Sequence, residues 1–162
     1  MPGRWSAPYS VRPPARTIGG VRLRIELEGQ PVVPHLPGDG AALIAFMSFA
    51  VSRGFGATHP LIALADRLHD THRVRLGPLT TFYEAEAEDA EDREKLELAW
   101  QEPKPLRESL EALLGAIETD EGARVLLRRG DAETLPEQAA AARDQAKSAE
   151  KFGCRVRLVY SL

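Results

Sequence analysis

Cysteine is almost absent from this chain: Cys154 stands alone, which excludes an internal disulfide and any metal centre built from several thiolates. A reducing compartment, and so the cytoplasm, is the expected location. Long apolar runs are missing too. The longest, Ala41 to Val51, is interrupted by Ser48 and covers about half of the ~20 residues that a membrane span needs, so it reads as a buried helix and no membrane association is expected. Strong charge of either sign is lacking, with a net charge of −3, so a nucleic-acid role would have to rest on a local patch. Aromatics make up only 6%, and no repeat recurs at solenoid periods. Acids are absent before Glu26, and with prolines at 2, 8, 13 and 14 the first twenty residues carry no apolar period and cannot form the amphipathic helix of a transit peptide.

What is present suits one globular body. A hydrophobic fraction of 43% against 28% charged residues in 162 positions is enough to build a core and argues against wholesale disorder. Residues 1–20 read as a Pro/Arg-rich arm, and 21–162 as a single domain. Val21 to Glu28 and Cys154 to Tyr160 both alternate apolar with polar residues, the period of a half-buried strand. Arg22, Arg24, Glu26 and Glu28 on one, with Arg155 and Arg157 on the other, carry charges that favour pairing, with Glu26 facing Arg157. Arg73 to Leu76 alternates briefly and reads as a third strand.

Helices are expected from about Ala41 to Arg53, capped by Asp39, and from His59 with Pro60 in its first turn. A solvated acidic helix follows from Glu84 toward Trp100, supported by Asp89 with Arg93 and Glu91 with Lys95 at i,i+4 spacing. The clearest amphipathic stripe is Leu106, Leu110, Leu113, Leu114 and Ile117. An alanine-rich helix then runs from Pro136 to Phe152 and ends at Gly153. The expected fold is therefore α+β: a small, mainly antiparallel sheet holding the N- and C-terminal strands, covered by four or five helices.

Three functional readings follow. The favoured one is a non-catalytic binding protein, an accessory or assembly subunit that contacts a protein partner, or a second copy of itself, through the arm residues Arg4, Trp5, Tyr9, Arg12 and Arg16. Cations interleaved with aromatic anchors supply both charge and contact area, and no cofactor is expected. The second is a small metal-dependent hydrolase. His59, His69, Asp70 and His72 gather around the second helix, histidines three apart on a helix can share a metal, and the His69-Asp70 dipeptide resembles the dyad of metal-dependent phosphohydrolases. The third is a nucleic-acid binder working through the basic arm, less favoured because the net charge is acidic. Gly38-Asp39-Gly40 ahead of a helix begins like a dinucleotide fingerprint but lacks the third glycine, and Cys154 alternates with the apolar side of its strand, as a buried small hydrophobe would.

Overall fold

A computed structural model describes residues 20–31, 34–56 and 58–162. Arg4, Trp5, Tyr9, Arg12 and Arg16 lie outside the described residues. Among the described residues, the fold is a mixed α/β arrangement in which six α-helices pack with a three-stranded sheet. In chain order the elements are β1 (Arg22–Leu27), α1 (Ala41–Val51), α2 (Pro60–Asp70), β2 (Phe82–Glu84), α3 (Ala90–Leu98), α4 (Pro103–Thr119), α5 (Glu121–Arg129), α6 (Leu135–Phe152) and β3 (Val156–Ser161). None of the described helices is long and apolar enough to cross a membrane.

The two distant alternating segments do pair. β1 runs antiparallel to β3 with Glu26 opposite Arg157, and β3 is the central strand, in the order β1-β3-β2. Leu23, Ile25 and Leu27 of β1 turn to the same core as Val156, Leu158 and Tyr160 of β3. The third strand, however, is not Arg73 to Leu76. That segment is irregular, with Arg73 at φ 58°, and its period of two arises because Val74 and Leu76 are buried while Arg73 and Arg75 are exposed. β2 takes the third place and pairs parallel to β3, so the sheet has one antiparallel and one parallel pair.

Six helices replace the expected four or five, because α5 joins them. It is a short helix burying only Ala123 and Leu127, capped where Asp120 accepts a hydrogen bond from the Gly122 amide at 2.9 Å. The acidic helix starts later than expected: Asp89 precedes α3 as its N-cap, accepting from the Asp92 amide at 2.9 Å. Pro103 and Pro105 sit in the first turn of α4, where a missing amide proton costs little. α4 and α6 form the most extensive helix pair. Ala139, Ala142, Ala146 and Ala149 make the buried stripe of α6 thin enough for Leu106, Leu110 and Leu113 of α4 to close on it.

Asp39 does not cap α1. It lies in a turn where Gly38, Asp39 and Gly40 all take positive φ (57°, 58° and 66°). The buried Gln138 of α6 does the capping instead, its Oε1 accepting from the Leu43 amide at 3.0 Å. Two turns further along α6, buried Gln145 donates from Nε2 to the Pro34 carbonyl at 3.2 Å. Two glutamines of one helix thus hold the start of α1 and the proline-rich connector before it.

Candidate functional site

The histidines singled out by sequence are placed on separate tasks. His59 is the N-cap of α2: its Nδ1 accepts from the Leu61 amide at 3.0 Å and its ring stacks on Phe49 with centroids 3.8 Å apart. Burial there pushes its pKa down. His72, just beyond α2, places Nε2 2.7 Å from Oδ2 of Asp120, a carboxylate that also accepts two hydrogen bonds from Arg67 at 2.6 and 3.0 Å. The Arg67 and His72 hydrogen bonds hold the Asp120 carboxyl far below the ordinary carboxylate range. This cluster ties α2 to the start of α5.

His69 and Asp70 do meet, Nδ1 to Oδ1 at 2.8 Å. Among the described residues, no group of three or more His, Cys, Asp or Glu side chains is placed to hold a metal ion. The N-terminus of α1, where Gly38 and Gly40 suggested a phosphate site, is occupied by the Gln138 cap. Cys154 is half-buried at the edge of the core.

The site that sequence reasoning passed over is an open cleft of about 610 Å³ between the end of α1 and the chain that follows α2. Ala50, Val51, Val74 and Leu76 give it apolar walls, and Arg53, His69, Arg73 and Arg75 bring cationic or titratable groups to it. Arg53 is fixed by Asp66 at 2.8 Å, with Asp70 3.8 Å away. The hydrogen bond from His69 holds the Asp70 carboxyl below its usual range, and the charges of Arg53 and Arg73 add to the effect. Among the described residues, the Arg73 and Arg75 guanidiniums make no hydrogen bond and no ion pair. Thr80, also on the lining, spends its hydroxyl proton on the Leu76 and Gly77 carbonyls at 3.1 and 3.2 Å.

Neither a protein family, nor a curated protein, nor a solved structure is found to be similar to the chain. Function therefore has to be argued from the cleft itself. The signal for it lay in the alternation of Arg73-Val74-Arg75-Leu76: two apolar anchors fix the segment on the core, and the arginines between them are left facing water at the cleft. Such guanidiniums are forks of fixed geometry suited to carboxylate or phosphate oxygens.

Proposed function

We propose that this protein acts by binding, as a non-catalytic accessory or assembly subunit that takes an anionic group of its partner into the Arg53/Arg73/Arg75 cleft. One observation carries the reading. Among the described residues, Arg73 and Arg75 stand exposed on the cleft with no carboxylate within ion-pair distance, Asp70 acting on Arg73 only at longer range, although acids outnumber Lys and Arg in the chain by 24 to 21. Phe55 adds to it: two residues beyond Arg53, in a turn flanked by Gly54 and Gly56, its side chain is 81% exposed. Exposed aromatic surface beside arginine is the composition of protein-binding hot spots. The basic arm, with Trp5 and Tyr9, is proposed as a second contact to the same partner.

The test is a photo-crosslinking amino acid at position 55 of the full chain, expressed in its own host. A defined protein adduct is expected that disappears when Arg73 and Arg75 are both changed to Glu, weakens when residues 1–20 are deleted, and recedes as salt screens the charges. An adduct indifferent to charge reversal would overturn the role of the cleft. Cross-linking to nucleic acid would favour the basic-arm alternative, and a stoichiometric metal lost in His69→Ala would restore the hydrolase.

A further inference from the structure

The geometry points to a phosphate monoester carried on an apolar body as the group that fills this cleft, a narrowing that rests on the anion-binding reading above. Charge and shape agree on that class. Arg53 already has its counter-charge in Asp66, and Asp70 accepts from His69 and reaches Arg73 only through longer-range charge, which leaves the guanidiniums of Arg73 and Arg75 as the cleft's donors without a hydrogen bond among the described residues. A carboxylate would answer one of these two charges. A phosphate monoester near neutral pH carries about −1.5 to −2 and presents three acceptor oxygens, enough for both forks. The remaining lining explains the rest of the ligand. Val51 is half-buried on the lining beside the arginines, with the buried Ala50, Val74 and Leu76 behind it, and an open cleft of about 610 Å³ has room for an organic group as well as a bare ion.

Backbone geometry holds the donors in place. Arg73 adopts φ 58°, and the next residue is pinned by the Val74 amide donating to the Leu68 carbonyl at 2.9 Å. On the other side of Arg75, its carbonyl accepts from the Ser109 hydroxyl of α4 at 2.6 Å, while Leu76 is buried. The segment is anchored at successive residues while both guanidiniums remain outside, so little backbone entropy is lost when an anion is taken up.

Calorimetric titration of the full chain tests the assignment with phenyl phosphate, benzoate and inorganic phosphate as probes. Phenyl phosphate is expected to bind about tenfold tighter than benzoate, because the dianion satisfies both arginines. It should also bind tighter than inorganic phosphate, which has no apolar portion. Arg75→Ala should weaken phenyl phosphate by about fivefold or more, and Arg75→Lys should restore only part of that, since it keeps the charge and loses the fork. Arg73→Gly removes the second guanidinium while accepting the positive φ, so the local turn is kept. A phosphotyrosine peptide separates the sources: tighter binding than phenyl phosphate assigns a phosphorylated partner chain, and equal affinity assigns a small free phosphate. Phenyl phosphate binding no tighter than benzoate overturns the phosphate assignment and leaves anion binding standing. Indifference of every probe to both arginine substitutions overturns the two together.

Discussion

Glu26 and Arg157 face each other across the β1–β3 register, and Arg157 Nε donates to Glu26 Oε1 at 2.8 Å. Burial of Glu26 works against its charge, but the hydrogen bonds from Arg157 and Arg24 win and its pKa is lowered. Arg157 does more than pair: it donates to the Leu96 carbonyl at 2.8 Å and lies 4.2 Å over the Trp100 ring. A double-mutant cycle of Glu26→Gln and Arg157→Gln is expected to give a coupling of about 0.5–1 kcal/mol in urea unfolding. Additive single effects would mean that the cross-strand ion pair contributes nothing net.

The two buried glutamines of α6 should respond differently to removal. Gln138 has its Oε1 on the Leu43 amide, so Gln138→Met leaves a buried helix-start donor unpaired and should cost about 1–3 kcal/mol. Gln145 holds the Pro34 carbonyl through Nε2, but its Oε1 is buried without a partner among the described residues. Gln145→Met removes one hydrogen bond and one unpaired acceptor together, and should fall within about 1 kcal/mol of the parent. Equal losses from the two substitutions in chemical unfolding would contradict this assignment.

Acid should loosen the junction of α2 and α5 first. The native Asp120 carboxyl titrates well below its unfolded counterpart, so the stabilisation it supplies is complete above the unfolded value near 4 and is lost as pH falls from there toward the native one. Asp120→Asn keeps a capping side chain but not the charge, and its stability curve should be flatter between about pH 4 and 2. Thermal melts of both proteins at several pH values check this, and parallel curves would remove Asp120 from the account.

Gly40→Ala is expected to destabilise by about 1–2 kcal/mol, since a side chain there must adopt φ 66° and meets Leu23 Cβ and Leu36 Cδ1 at 3.0 Å. Gly54→Ala, also at positive φ but with open space around it, should cost less. Midpoints in guanidinium chloride give the comparison directly.

The first and last strands, β1 and β3, were legible because β1 alternates wet and buried residues along all six positions and β3 does so from Val156 to Leu158, before Val159 is buried as well. β2 was not: three residues are too few to show a period, and a parallel partner leaves no hairpin turn to announce it. Arg73 to Leu76 carried the strand pattern without the strand, because burying Val74 and Leu76 demands the same alternation from an irregular segment. α5 escaped notice for a related reason, with two buried side chains in nine residues. At the site, histidine chemistry drew attention to His59 and His72, whose nitrogens serve a helix cap and a carboxylate. The cleft is assembled from residues far apart in the chain, Arg53 from one side and Arg73 and Arg75 from the other, and only folding puts them on one surface.

β3, the middle strand of the sheet, follows both of its neighbours in the chain. During synthesis, β1 and β2 emerge with no strand between them, so Leu23, Ile25 and Leu27 wait for a hydrogen-bonding neighbour while every helix is being made. Joining β1 to a strand beyond Gly153 closes the longest loop in the sheet, so that pairing carries the largest loop entropy. β3 is thus the keystone of the sheet, since both of its strand pairings depend on the last strand in the order.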